Sequence, residues 1–310
     1  MDNLKTKIVW NLNDFCSYQC SYCPVHFWGG GEPPETKEYI RVANLIIDSY
    51  RSMGRSMSWE FSGGEPLDMN DIVTLLKLCR ENSEFMELHT NGGKLWMDWW
   101  AIEPYVDKLH LTYHYWQNVP LINYIVETYQ KKNKEILVSV PMRPEAFTDD
   151  LARAEDIESR YGISVKKQAM YVNADKSAGM IPGYTKEQLD IMSGRVFKPT
   201  PVIAPPPPPP PTEDLAKEQK YFKDTTWDQR YKDRMNSNPG YGGQLCNAGI
   251  EFLNIGPQGW VSGSQCNNEP LGNIWHEGWH PPRGPQKCGM IVCEFPSDKK
   301  ITKFPLTVNS

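Results

Sequence analysis

The feature that most restricts how this chain can fold is an alternation running through its first half. Six β-rich runs, at residues 7–12, 57–61, 85–90, 108–113, 136–140 and 164–171, are separated by longer segments with helical spacing of apolar residues, at 37–53, 71–82, 95–105, 121–132 and 146–161. In the first of these, Ile40, Ala43, Ile47 and Tyr50 fall on one stripe. Consecutive βα units of this kind predict a mainly parallel sheet covered by helices. Both a doubly wound sheet and an incomplete (β/α) barrel satisfy the alternation, because strand order is not encoded in it. Either way, functional groups gather at the carboxyl ends of the strands.

The second half is built differently. Residues 205–211 are seven consecutive prolines, with Pro199 and Pro201 just before them, and such a run favours an extended polyproline II rod. The reading is a surface spacer, with docking of an SH3-like partner as its rival. From 212 to 239 the chain is polar, with helical character around 213–224. Beyond residue 240, four cysteines stand among turn residues and short strands near 250–255 and 260–262. Three regions are therefore expected: a βα domain over 1–198, a proline-rich and polar linker over 199–239, and a small cysteine-rich domain over 240–310.

Charge excludes some functions. A net charge of -5 over 310 residues gives no general grip on nucleic acid or anionic lipid. No apolar run reaches the roughly 18 residues of a membrane helix, and residues 1–13 lack the pattern of a signal peptide. A soluble cytoplasmic protein is expected, in a reducing compartment that keeps the eight cysteines out of disulfides. Eleven Trp and fifteen Tyr suit both a core and a pocket for a sizeable organic ligand.

Cys16, Cys20 and Cys23 stand in the run C-S-Y-Q-C-S-Y-C, directly after the first predicted strand. A loop of this length can wrap three thiolates round one inorganic centre. Zinc usually takes four ligands in separated pairs, whereas three close cysteines leave one metal of a cubane cluster without a protein ligand. Structural zinc with a distant fourth ligand and unrelated buried thiols are the alternatives.

This motif resembles the C-x3-C-x-aromatic-C signature of the radical SAM superfamily, with Tyr22 in the aromatic position. The resemblance covers most of residues 7–171. It implies an α/β fold, a partial (β/α)6 TIM-like barrel, with a four-iron, four-sulfur (4Fe–4S) cluster on Cys16, Cys20 and Cys23 and S-adenosylmethionine (SAM) chelated to its open iron. Reductive cleavage of SAM would then give a 5′-deoxyadenosyl radical that abstracts a substrate hydrogen. A second motif, Gly63-Gly64-Glu65-Pro66, follows the second predicted strand, where the family holds the SAM amino group. Glycine permits close backbone approach there. Residues 30–33 spell the same four letters but follow no strand, and are assigned to the loop beyond the cysteines. Asn91, in Thr90-Asn91-Gly92, and Thr112, at the end of the fourth run, are further SAM-binding candidates by resemblance; the Asp-Gly usual after the latter position is absent.

Cys246, Cys266, Cys288 and Cys293 could close a complete metal site, for which spacing alone leaves zinc a rival. The intervening text, Cys246-Asn-Ala-Gly249, Ile255-Gly-Pro257-Gln-Gly259-Trp-Val261 and Gly272-Asn273-Ile274, looks like the SPASM or twitch extension of radical SAM enzymes. It implies an auxiliary iron-sulfur cluster. A full SPASM domain uses about seven cysteines for two clusters, so the four here predict one. Cys79, in a helical context, reads as a buried inert thiol.

Other candidates are weaker. His26 follows the cysteine loop, His89 and His110 lie on predicted strands, and Tyr113 and His114 fall near the presumed mouth. His276 and His280 have i,i+4 spacing that could clasp a metal on a helix. Asp149 and Asp150 read as a helix N-terminus. The catalytic residue stays unassigned. The expected function is that of a radical SAM oxidoreductase or modifying enzyme acting on a peptide or protein, served by an electron donor such as flavodoxin or ferredoxin. The alternatives are a radical SAM enzyme for a nucleotide, sugar or cofactor precursor, and a zinc-stabilised interaction protein without enzymatic activity.

Overall fold

The computed structural model describes residues 4–20, 22–23, 34–93, 96–172, 179–193, 244–264, 270–288, 293, 298 and 300–304. His26, the 30–33 repeat, the polyproline run, the 213–224 segment and Cys266 lie outside the described residues.

Six strands follow the predicted order: β1 (Lys5–Asn11), β2 (Ser56–Ser62), β3 (Phe85–Thr90), β4 (Lys108–Thr112), β5 (Glu135–Met142) and β6 (Val165–Ala169). Between them run α1 (Thr36–Ser52), α2 (Ile72–Glu81), α3 (Trp96–Ile102), α4 (Val119–Lys131) and α5 (Phe147–Tyr161), with α6 (Lys186–Met192) after β6. Local chemistry sets several ends. The Asn118 side chain caps α4 by accepting from Leu121 N, and Gly162, at φ 63°, ends α5 in the left-handed region that favours glycine. The third predicted helix is shorter than expected, because Pro104 turns its last residues into a 3-10 turn over Glu103–Tyr105.

The strands lie in one eight-stranded sheet in the order β6-β5-β4-β3-β2-β1-β8-β9, where β8 is Phe252–Ile255 and β9 is Val261–Ser262. β1 to β6 are parallel and strictly consecutive. A doubly wound sheet needs a reversal of strand order, so this topology is the singly wound, incomplete barrel. β8 joins β1 in parallel register, Lys7 opposite Phe252, so part of the cysteine-rich segment extends the main sheet. A smaller sheet has β7 (Leu245–Cys246) between β10 (Gln286–Lys287) and β11 (Lys303–Phe304).

Each inner strand alternates. Ile8, Trp10 and Leu12, Met57, Trp59 and Phe61, Met86 and Leu88, and Leu109 and Leu111 are buried in one core with Val42, Ile46, Leu76, Ile122 and Val126 of the helices. On α1 the buried stripe is Tyr39, Val42, Ala43, Ile46, Ile47 and Tyr50; Ile40, expected on it, sits at its partly buried margin. Trp10 packs 6.2 Å from Trp59 and 6.4 Å from Trp275, which binds the carboxy-terminal segment to the core. Truncating a buried Trp of this kind to Ala costs about 3–5 kcal/mol. The opposite face of the same strands is polar, and it carries Lys7, Glu60, Glu87, His89, Lys108, His110 and Thr112.

Candidate functional site

The first β-strand runs out at Asn11, and the chain turns through Asn13 and Phe15 into the cysteine loop. This turn is fastened to the end of β2. Gly64 N donates to Asn13 O at 2.9 Å and Glu65 N to Phe15 O at 2.8 Å. A Cβ on Gly64 would stand 2.0 Å from Phe15 O, and one on Gly63, at φ +133°, would stand 2.6 Å from Asn13 O. Glycine is thus required at both positions by the packing of the chain on itself. Asp68 takes the other side of the loop, accepting from Ser17 N at 2.7 Å and Ser17 Oγ at 3.2 Å.

Glu65 is fully enclosed. Its carboxylate accepts from Leu67 N at 2.9 Å, Thr90 Oγ1 at 2.7 Å and Asn91 N at 2.6 Å. Burial outweighs these donors and pushes the carboxyl up to about 7. Pro66 is buried at the start of a short 3-10 turn, Pro66–Asp68, so it positions backbone and presents no polar group to the cavity.

Cys16, Cys20 and Cys23 meet at the carboxyl end of the sheet, where Cys23 N donates to Cys20 O at 2.9 Å. Asn91 Nδ2 reaches Cys16 Sγ at 3.6 Å, and His114 Nδ1 lies 4.0 Å from Cys20 Sγ. Cys20 is drawn down to about 4 by the hydrogen bond from Cys23, against burial and with help from His114. The same pairing, with burial, raises Cys23, and burial raises Cys16. The site is therefore primed to hold at least one thiolate, the form that ligates metals. Tyr22 stacks on His114 with ring centroids 6.1 Å apart and brings its hydroxyl to 2.5 Å from His114 Nδ1. Burial, then the neighbouring Cys20, raise the Tyr22 hydroxyl.

These groups border one cavity of about 340 Å3. The three cysteines, Tyr22, Gly63, Gly64, Asn91 and Thr112 all line it, as do His89 and His114, while Pro141, Gln168 and Tyr171 close the far side. Next to the cavity-lining His114 stand further aromatic side chains: His114 stacks on Trp116 at 4.9 Å, Tyr115 meets Trp116 edge-on at 4.6 Å, and the Arg143 guanidinium covers the Tyr115 ring at 3.6 Å. Tyr115 and Trp116 are 48% and 42% exposed.

In the carboxy-terminal segment, Cys246 sits on β7 opposite Gln286, and Cys288 N donates to Gln244 O at 2.8 Å. Both cysteines are buried in one small apolar cluster with Phe252 and Ile301, and Cys293 is buried as well. All seven described cysteines are free of disulfides. Cys79 is wholly buried and raised by that burial, as expected of an inert thiol.

Other expectations need correction. His276 and His280 lie on turns, because Gly278, at φ 80°, breaks the segment, and His280 Nδ1 faces Pro281 O at 3.1 Å. They form no helical metal clasp. Asp149 and Asp150 do fall in the first turn of α5, but Asp150 is buried and is held by Arg143 N at 2.9 Å, the Arg143 guanidinium at 2.8 Å and Arg153 at 2.7 Å. Its role is an ion-paired anchor for the end of β5. Tyr113 is buried, with Arg153 5.8 Å from its ring.

No family profile and no curated protein matches this chain. Among solved structures it is similar to Streptococcus suis SuiB bound to S-adenosylmethionine, at 16% identity and a TM-score of 0.43, over 88% of this chain and 63% of that one. It is similar also to SuiB bound to precursor peptide SuiA, at 13% identity and a TM-score of 0.48, over 89% of this chain and 63% of that one. A third is native anSMEcpe with bound AdoMet and Cp18Cys peptide, at 13% identity and a TM-score of 0.47, over 87% of this chain and 77% of that one. The chain thus spans 63% of the length of SuiB. Likeness at this level carries no activity across, and the functional reading rests on this chain's own residues.

Proposed function

We propose that this chain is a radical SAM enzyme that modifies a peptide or protein. The observation that carries the reading is the convergence of Cys16, Cys20, Cys23, Gly63, Gly64, Asn91 and Thr112 on one cavity at the carboxyl ends of parallel strands. Its volume, about 340 Å3, lies within the range of about 300–1,000 Å3 common for small-ligand sites. A donor set of three clustered thiols fits a cubane with one iron left for SAM. Bound there, a 4Fe–4S cluster supplies the electron that splits SAM into methionine and a 5′-deoxyadenosyl radical for hydrogen abstraction.

The chain's own residues hold the parts in place. Asp68 and the Gly64 backbone fix the cysteine loop from both sides, and Asn91 directs its amide at the Cys16 sulfur. Gly63 and Gly64 let a SAM amino group approach the end of β2, and Thr112 offers a hydroxyl across the cavity for its carboxylate. The exposed Tyr115 and Trp116, next to the cavity-lining His114, give a substrate an aromatic landing, which suits a peptide. Cys246, Cys288 and Cys293, with Cys266, hold one auxiliary iron-sulfur cluster, and a flavodoxin or ferredoxin supplies the electrons.

Iron and labile sulfide counts test this reading. After anaerobic reconstitution, the native chain should hold about eight irons, and the C16A/C20A/C23A variant about four, as two cubanes require. Zinc without iron or sulfide would instead hand the chain to the interaction-protein reading.

A further inference from the structure

Below the cysteine loop, on the polar face of the sheet, lies a cluster that the radical SAM reading does not use. Glu60 on β2, Glu87 and His89 on β3, and His110 on β4 are brought side by side by strand register, with Glu60 opposite Glu87 and His89 opposite His110. The two imidazoles stack with centroids 4.1 Å apart and planes 9° from parallel. Their Nε2 atoms turn toward the same oxygen: Glu87 Oε1 is 3.3 Å from His89 Nε2 and 2.6 Å from His110 Nε2. Glu60 Oε1 is 3.2 Å from His89 Nε2.

These contacts are ion pairs once a histidine is protonated, and a bound ion would take that proton's place. Both Nε2 atoms are buried, and neither makes a bond of acceptable geometry to these oxygens. Glu87 Oε1 and the two imidazole nitrogens thus form one cluster, with Glu60 Oε1 beside His89 at its edge. The donors from Glu87, His89 and His110 all lie within 4.8 Å of each other. In a tetrahedral zinc site with metal–ligand bonds of about 2.0–2.2 Å, ligand atoms stand about 3.3–3.6 Å apart. The 3.3 Å between His89 and Glu87 already matches such an edge, while the 2.6 Å one must open and one of the stacked rings must turn so that both nitrogens face the ion.

Two carboxylates and two neutral imidazoles would face the ion, with Lys7 and Lys108 paired to the carboxylates from outside. Lys7 Nζ holds Glu60 Oε2 at 2.5 Å, which leaves Oε1 turned toward the histidines, and Lys108 Nζ stays 3.7 Å from Glu87 Oε1. His89 borders the cavity and links the cluster to it, while Glu60, Glu87 and His110 do not line it. We propose that Glu87, His89 and His110 bind a divalent transition-metal ion of the zinc class between β3 and β4 beneath the cavity, with Glu60 of β2 supporting the site from beside His89. This site is independent of the cysteines and of the radical SAM reading.

The test is zinc K-edge absorption on the full chain carrying its iron-sulfur clusters, loaded with one equivalent of Zn(II) and desalted. The edge reads zinc alone, whatever the iron content. The expected result is about one retained zinc per chain, with nitrogen and oxygen at about 2.0–2.1 Å, imidazole scattering and no sulfur shell. His89→Ala and His110→Ala, each checked for folding by circular dichroism, should each lower retention at least about tenfold, while His276→Ala should not. No retained zinc, a sulfur shell at about 2.3 Å, or folded histidine variants that keep their zinc would overturn the proposal.

Discussion

Glu65 and Asn91 are joined across two strand ends: the buried carboxylate at the close of β2 accepts the Asn91 backbone N–H at 2.6 Å. Thr90 donates its hydroxyl to the same carboxylate at 2.7 Å. Two short motifs, Gly63-Gly64-Glu65-Pro66 and Thr90-Asn91-Gly92, are therefore one mechanical unit. Because Asn91 also reaches Cys16 Sγ at 3.6 Å, the unit extends to the cysteine loop.

Glu65→Ala should be destabilising through this unit rather than through any ligand. It strands buried donors, each costing about 1–3 kcal/mol, so urea unfolding of the cluster-free chain should lose at least about 2 kcal/mol at unchanged slope. A loss below about 0.5 kcal/mol would mean that the donors find other partners.

Acidity offers a second handle on the same side chain. Burial raises the Glu65 carboxyl to about 7, so between its ordinary value and 7 the folded state holds a proton that the unfolded chain has released. Its contribution is complete below the unfolded value and is lost as pH climbs through 7. Relative to Glu65→Gln, which does not titrate, the native chain should lose up to about 3 kcal/mol of stability between pH 4.5 and 7.5. Parallel pH profiles for the two proteins would contradict the raised value.

Gly64→Ala puts a methyl 2.0 Å from Phe15 O, against backbone that cannot rotate away. The turn before Cys16 must shift. Iron retained at the amino-terminal site should fall more than about tenfold while the carboxy-terminal cysteines keep theirs, since mispositioned ligands cost metal sites heavily. Full iron loading in this variant would show that the glycine contact is not what sets the loop.

Tyr22→Phe keeps the ring that stacks on His114 and removes only the hydroxyl near Nδ1. Iron content should be unchanged. SAM turnover should slow by about two- to tenfold, as expected for one hydrogen bond of about 0.5–1.5 kcal/mol. Complete loss of turnover would give the hydroxyl a larger role than positioning.

Much of this architecture is legible in the sequence, because β3 and its neighbours are short, bounded and separated by amphipathic helices. Phe85–Thr90 matches the expected run to the residue. What the alternation could not convey was strand order, which depends on how helices pack across the sheet. The joining of β8 to β1 was also hidden, since it pairs Lys7 with Phe252 across a linker of unrelated composition. The glycines of Gly63-Gly64 were legible as a site for close approach, but the partner that demands them, Phe15, emerges only from the fold. The Glu60–Glu87–His89–His110 cluster left a signal that went unused. Strands buried in a parallel sheet usually read as continuous apolar runs, whereas S-M-S-W-E-F-S, F-M-E-L-H-T and K-L-H-L-T each alternate. That alternation marks a polar inner face, and register then sets its groups together.

The central claim is that Cys16, Cys20 and Cys23 organise SAM cleavage, and chromatography of the products tests it most directly. The reconstituted chain, given SAM and dithionite without oxygen, should form 5′-deoxyadenosine, and the C16A/C20A/C23A variant should form none while retaining iron on its carboxy-terminal cysteines. Equal 5′-deoxyadenosine from the variant, or none from a fully iron-loaded native chain, would contradict the account.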